Sequence, residues 1–368
     1  MVASRKSNEN QRNYQLDALK FFLACLVILY HTHYFVGENT RITLPPMLGF
    51  MCVQCFFVIS GMLMVNSYIF MGDVKDCGKN AFLFVLHKFK SLALPYWVSL
   101  GLRAIVQAVL YATSLDVVLR IILIETVPEA LGMQLAGVGA FLNGPVWYIS
   151  AMLIAMLPLV YILMRNKNFF LYVFAPLCAI ISWGYIYANN DAWVFNYQTM
   201  HGFLMGGVIR ALSGLCFGVI SYLISDWLKN NIRRKSQRVL LTVIEPLLYI
   251  VFFVYWFTSE WTLLVFSGFF LFPIAVGITF SRCSYINELF KAGWMKHLGH
   301  LSLAVYLNHS GAVQIVDVYF HGLSWKMSAF LVVLFTIGMC LIYYGILYVI
   351  RLLWNKRLKS VFGNEKTL

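Results

Sequence analysis

Acidic residues are scarce in this chain: 15 Asp and Glu among 368 residues, with charged residues of both signs making up only 12%. That is too little charge for a soluble globular protein of this length. Proline is scarce as well, at nine residues, and no Pro-, Gly- or Ser-rich stretch marks a linker between domains. No small-residue cleavage site follows the first apolar run, which excludes a removable secretory signal and leaves that run as a helix. Internal repeats are missing, and so is a pair of Gly/Pro-broken helices in matching halves, which argues against a transporter. Metal-ligand spacing is confined to Cys52-x-x-Cys55, in a hydrophobic run with no second ligand pair nearby, so no metal is expected.

What is present is apolar sequence. The chain is 61% hydrophobic, its mean hydropathy is +0.75, and apolar runs of about 20 residues recur, as expected of an all-α membrane protein. Ten spans are predicted, at about 15–36, 46–70, 92–112, 144–164, 168–187, 203–226, 239–258, 260–280, 300–320 and 327–352. The net charge of +13 would suit nucleic acid, but the basic residues fall in short clusters between the runs. These are Arg5, Lys6 and Arg12; Lys75, Lys79, Lys88 and Lys90; Arg165 and Lys167; Lys229, Arg233, Arg234, Lys235 and Arg238; Arg282, Lys291 and Lys296; and Lys356, Arg357, Lys359 and Lys366. The alternate connections, around Glu38 and Arg41, Asp116 to Glu129, Asp191, Glu260 and Lys326, are poor in Lys and Arg. By the positive-inside rule both termini are cytoplasmic and the partner is the membrane lipid, with no nucleic acid. Residues 1–368 are expected to form a single transmembrane domain without an appended soluble domain.

The stretch 12–64 stands out because its spans carry residues that lipid does not favour. Asp17, Lys20 and His31 lie in or beside the first apolar run, with His33 two residues on. Eleven residues at about 100° each complete three helical turns to within about 20°, so Lys20 and His31 share a face, about 16 Å apart along the axis. Asp17 belongs to the same stripe, whereas His33 points about 160° away from His31. Ionisable side chains inside a span mark a functional site by default, and His31 is the deepest of these. In the second span, Gln54 falls at the depth of His31 and is a candidate to orient it, while Ser60-Gly61 permits close approach of a neighbouring helix.

Lys88 and Lys90 precede Pro95-Tyr96-Trp97 at the cytoplasmic start of the third span, where they suit either topology or the phosphates of a nucleotide-bearing cofactor. Asn143-Gly144-Pro145 sets a helix start on the outer side, followed by Trp147 and Tyr148. The ninth span holds Asn308 and His309, a second costly polar pair near mid-membrane whose expected partners are polar residues on other helices. The outer connection 113–143 is predicted to hold an interfacial or re-entrant helix. Segment 188–202 mixes amides (Asn189, Asn190, Asn196, Gln198), Asp191 and His201 with aromatic Trp193 and Tyr197, as either a sugar-stacking surface or an aromatic belt.

Four of these segments in order resemble the acyltransferase 3 family of bacterial membrane acyltransferases over nearly the whole chain: Asp17-Ala18-Leu19-Lys20 through His31, Phe56-Phe57-Val58-Ile59-Ser60-Gly61, Gly144-Pro145-Val146-Trp147-Tyr148-Ile149-Ser150, and Leu298-Gly299-His300 through Asn308-His309. Two departures are visible: Lys20 stands where the family has arginine, and Lys88 and Lys90 stand where it has two arginines three apart. The resemblance implies an inner-membrane O-acyltransferase that takes acetyl-CoA from the cytoplasmic side and acylates a hydroxyl of a cell-surface or lipid-linked carbohydrate, alone or with a separate glycan-assembly partner. It implies His31 as base or transient acyl carrier, with Asp17 and Lys20 in the catalytic stripe. Lys20 would also hold the pantetheine arm, and Lys88 and Lys90 would meet the nucleotide phosphates. Gln54, Ser60, Trp147, Tyr148, Asn308 and His309 would be supporting or acceptor-side residues. The alternative is an exporter or transporter built on the same helical scaffold.

Overall fold

The computed structural model describes residues 12–36, 47–69, 75–111, 114–138, 142–189, 195–258 and 263–362. Arg5, Lys6, Glu38, Arg41, Asp191, Glu260 and Lys366, which carry part of the charge alternation, lie outside the described residues, as do Asn190 and Trp193. In lipid the backbone must satisfy its own polar groups, and each apolar run accordingly folds as a helix. The principal helices among the described residues are α1 (Tyr14–Val36), α2 (Met47–Ile69), α3 (Cys77–Tyr111), α4 (Trp147–Arg165) and α5 (Ala175–Ala188). They continue with α6 (Gly206–Asn231), α7 (Lys235–Thr258), α8 (Leu271–Ser281), α9 (Leu298–Tyr319) and α10 (Trp325–Phe362).

Eight of these, counting the turns that lead into α4 and α5, are long and apolar enough to cross a membrane. The two other expected spans differ for separate reasons. The run near 260–280 is broken: a short helix Leu263–Gly268 ends before α8, and Phe269 and Phe270 form a turn between the two pieces. Helix α9 has the length, but Asn308, His309, Ser310, Gln314 and Asp317 dilute its hydropathy. The third helix is longer than expected. Its 35 residues measure about 52 Å against a hydrocarbon core of about 30 Å, so its first turns, around Lys79 and Lys88, project beyond the core.

Close helix contact is concentrated where α2 crosses α6. A Cβ on Gly61 would overlap the carbonyl of Leu215, and one on Gly218 would overlap the carbonyl of Val58. The two glycines thus let backbone meet backbone, as small residues do in membrane helix pairs. Away from that crossing, Glu245 of α7 is fully buried and accepts hydrogen bonds from Gln15 Nε2 at 2.6 Å and Thr279 Oγ1 at 2.5 Å, tying α1, α7 and α8 together.

The connection from α3 to α4 folds back along α3. After short helical pieces (Leu115–Arg120, Ile121–Thr126, Val127–Ala130), the chain packs along the side of α3. Tyr96 Oη donates to Glu129 O at 2.7 Å and Trp97 Nε1 donates to Ala130 O at 2.9 Å. Those two side chains sit about 21 Å along the helix from the C-terminal end of α3. The return is made at Gly132, whose φ of +72° is a left-handed value that glycine adopts without strain. Ser150 of α4 then receives the turn, donating to Gly132 O at 2.6 Å and accepting from Leu135 N at 3.1 Å. Non-helical backbone at such depth is tolerated where protein covers it or where it borders a cavity.

Candidate active site

A cavity of about 540 Å³ lies between the C-terminal halves of α1, α3 and α9 and the N-terminal ends of α2, α4 and α6. His31 of α1 lines it, beside Tyr30, Phe50, Trp147, Arg210 and Tyr306. His31 is joined to His309 of α9: the two rings lie 5.0 Å apart between centroids, with Nε2 of His309 3.1 Å from Nδ1 of His31.

The neighbours of the two rings fix their tautomers. Nδ1 of His309 is 2.8 Å from Tyr306 O, a pure acceptor, so that nitrogen carries the hydrogen and Nε2 carries the lone pair. Nδ1 of His31 faces two acceptors, that lone pair and Val27 O at 3.0 Å, so it too is the protonated nitrogen. The lone pair of His31 is thereby assigned to Nε2. A neutral imidazole held in one tautomer by a second residue is the arrangement a general base requires.

Arg210 supplies the cavity's deepest positive charge. It is 2% exposed, its guanidinium lies 3.8 Å from the Phe50 ring centroid and 4.8 Å from that of Trp147, and Nη2 donates to Phe50 O at 2.7 Å. Gln54 Nε2 donates to Arg210 O at 3.1 Å, which braces the helix turn bearing the arginine. Trp147 in turn stacks on Tyr197, with centroids 4.6 Å apart and planes 9° from parallel. A rigid cation against aromatic faces in a closed site is preorganised to stabilise negative charge.

Asn143 is the joint between the α3–α4 connection and α9. Its Nδ2 donates to Leu307 O at 2.9 Å, its Oδ1 accepts from Ser310 Oγ at 2.6 Å, and its backbone N–H is held by both oxygens of Glu129 at 3.2 Å. Tyr306 Oη donates to Pro145 O at 2.5 Å. The turn Asn143-Gly144-Pro145 is therefore fixed against the helix that carries His309.

The residues singled out from the sequence come together in three groups. His31 meets His309. Ser60 Oγ and Tyr148 Oη are hydrogen-bonded at 2.6 Å, joining the second and third landmark segments. Asp17 joins the first and last: it pairs with Arg12 at 2.5 Å and with Lys20 at 3.5 Å, packs on the backbone of Gly299, and Arg12 Nη1 lies 3.4 Å from His300 Nε2. Asp17 and Lys20 consequently share the face of His31 without reaching it. They form a separate cluster at the other end of α1, and Lys88 lies close enough to Lys20 for the two ammonium groups to repel.

Three expectations need correction. Gln54 orients the backbone of Arg210 rather than the ring of His31. Lys88 and Lys90 do not share a face: two residues apart on a helix they point about 200° apart, and Lys90 is exposed while Lys88 is half-buried. Asn308 is buried beside the site, but its Nδ2 donates to Ala304 O at 2.8 Å on its own helix, not to another span.

Arg210, Asn143, Arg103, Tyr306 and Gln314 were not anticipated. Arg210 had a signal, being a lone arginine in the apolar run from Gly206 to Ile224. Arg103 had the same signal, being the lone charged residue from Leu92 to Tyr111, whereas the roles of Asn143, Tyr306 and Gln314 depend on where the segment between α3 and α4 returns.

Residues 13–348 match the family model described as an acyltransferase domain, and the chain belongs to this family, acyltransferase 3. No curated protein and no solved structure matches it.

Proposed function

With membership of the acyltransferase 3 family as premise, we propose that this protein is a bacterial inner-membrane O-acyltransferase. It moves an acetyl group from acetyl-CoA to a hydroxyl of a cell-surface or lipid-linked carbohydrate, presented by the lipid or by a separate glycan-assembly partner. The observation that carries this reading is His31, held from behind by His309, on the wall of a cavity that also holds Arg210.

In this reading the acceptor hydroxyl gives its proton to Nε2 of His31 as its oxygen attacks the thioester carbonyl. The tetrahedral oxyanion faces Arg210, and when the C–S bond breaks the imidazolium returns the proton to the departing thiolate. His309 is a positioning residue. Its lone pair holds the Nδ1–H of His31 and stabilises the ring once it is charged. At the cytoplasmic end, Arg12 and Lys20 both pair with one carboxylate, Asp17, and Lys88 adds a further cation near Lys20, so the cluster has positive charge left over for the phosphates of acetyl-CoA. Lys20 and His31 stand about 16 Å apart along α1, with the pantetheine arm bridging that span. The chain makes ten crossings with both termini cytoplasmic, α8 with its preceding short helix and α9 being the two additions to the eight apolar helices.

The test is replacement of His31 in cells whose own copy of the gene is deleted. Ester-linked acetyl on surface glycans is read by proton NMR before and after mild alkali. His31→Gln keeps hydrogen bonding but loses the base, and it should lower acetylation by at least about a hundredfold. His33→Ala should lower it no more than a few-fold. Near-normal acetylation in His31→Gln refutes the mechanism and favours an exporter.

A further inference from the structure

The cavity holds more positive charge than acyl transfer needs. Besides Arg210 it is lined by Arg103 of α3, and Asp317 is the one carboxylate among its described lining residues, which leaves two cations against one anion. Asp317 stands at the outer rim, with His321 Nδ1 3.9 Å away. Among the described residues neither arginine has a carboxylate within ion-pair distance. Glu129, the carboxylate whose field acts most strongly on Arg103, is itself held by Asn143 N–H.

The two arginines occupy different walls. Arg210 lies among Phe50, Trp147 and the tyrosines that flank the histidine pair. Arg103 lies farther out, on the wall shared with α9. Its Nη1 donates to Gln107 Oε1 at 3.0 Å, and Gln314 Nε2 donates to the same oxygen at 2.9 Å. This brace leaves Arg103 Nε and Gln314 Oε1 buried without a hydrogen-bond partner among the described residues. Buried polar atoms in native proteins are nearly always satisfied, so an orphan donor and an orphan acceptor on one cavity wall point to a missing ligand. The donor is a guanidinium, whose planar fork suits carboxylate and phosphate, and the acceptor suits a hydroxyl. Gln314 follows His309 by five residues, about 7–8 Å along α9.

We propose that Arg103 and Gln314 form a subsite for an anionic group on the acceptor sugar, a carboxylate or a phosphate, so that this protein acts on an acidic glycan. The inference rests on the reading of the cavity as an acceptor site. It places the charged group about 7–8 Å outward of the histidine pair, on the acylated sugar or its immediate neighbour. A transient oxyanion does not account for this charge, since the oxyanion forms beside the histidine pair and Arg210 already serves it.

The experiment uses the full-length protein in detergent, carrying His31→Gln so that nothing turns over. Methyl glucuronoside, glucose 6-phosphate and methyl glucoside are titrated separately, with the fluorescence of Trp147 and the other tryptophans as the readout. At least one acidic probe should bind about tenfold more tightly than the neutral one, and comparing the two acids decides between carboxylate and phosphate. Adding Arg103→Gln should erase the preference while leaving methyl glucoside unchanged, and Arg103→Lys should keep part of it, which separates loss of the site from loss of folding. Equal binding of all three probes, binding of neither acid, or a preference that survives Arg103→Gln overturns the proposal. A preference lost in Arg210→Gln but kept in Arg103→Gln overturns it too, by moving the anion to the other wall. The acyltransferase reading fails independently, through the glycan measurement on His31→Gln: an intact acidic preference with unchanged acetylation would leave a cavity that binds acidic sugars without acylating them.

Discussion

His309→Ala is the sharpest test of how the site is built. The substitution removes the acceptor 3.1 Å from Nδ1 of His31 but leaves Val27 O, 3.0 Å from the same nitrogen. The reactive tautomer of His31 is therefore retained, and what is lost is one hydrogen bond that matters most when the ring is charged in the transition state. Hydrogen bonds to charged groups contribute about 1.5–3 kcal/mol, and about 1.4 kcal/mol is a factor of ten. The expected fall in kcat is about ten- to a hundredfold, smaller than for His31→Gln. The KM for acetyl-CoA should not move, because the cytoplasmic cluster is untouched. His309→Gln returns a carbonyl oxygen to the same depth and should recover part of the rate. The assay is acetyl transfer by the purified protein in vesicles, with kcat and KM resolved separately. The double variant His31→Gln/His309→Ala should be no slower than His31→Gln alone, since the second residue acts only through the first. A His309→Ala protein within twofold of the parent, or a double variant slower by the product of the two losses, refutes the positioning role.

Two further outcomes follow from the cytoplasmic cluster and the topology. Lys88→Glu should raise the KM for acetyl-CoA by about tenfold with kcat little changed, whereas Lys90→Glu should shift it no more than two- to threefold because Lys90 faces outward; equal effects of the two in a steady-state assay would restore the pair. A cysteine placed at Gln198, exposed beside the strand pair β1 (Met200–His201) and β2 (Leu204–Met205), should react with an impermeant thiol reagent on intact cells. One at Lys235 should react only after permeabilisation, and labelling at 235 from outside contradicts cytoplasmic termini.

The helices were legible in the sequence because lipid leaves the backbone few alternatives, and His31 and His309 were each legible, though not as partners, because polar groups at mid-membrane are conspicuous. Pairing was harder to read. The periodicity correctly set Asp17, Lys20 and His31 on one face, but a shared face says nothing about reach, and three turns separate Lys20 from His31. Gln54 was placed at a useful depth, yet its partner is a backbone carbonyl on α6, a kind of acceptor that no sequence pattern advertises. The orphan atoms of Arg103 and Gln314 arise from a brace between α3 and α9, and helix neighbours must be known before such a brace can be seen. The run at 260–280 reads as one span by hydropathy because the interruption at Phe269 and Phe270 is as apolar as its flanks.

The glycine crossing of α2 and α6 bears on how the protein moves. Where Gly61 and Gly218 press backbone to backbone, no rotamer can give way, so that side of the cavity behaves as a stator. Between α3 and α9 the hold is by separable ties, Ser99 Oγ donating to Leu307 O at 2.8 Å and the Asn143 joint. Each can open and reclose singly. Any rocking that admits a bulky polymer or releases a product is therefore expected between α3 and α9, and a crosslink between α2 and α6 should leave turnover intact where one between α3 and α9 should arrest it.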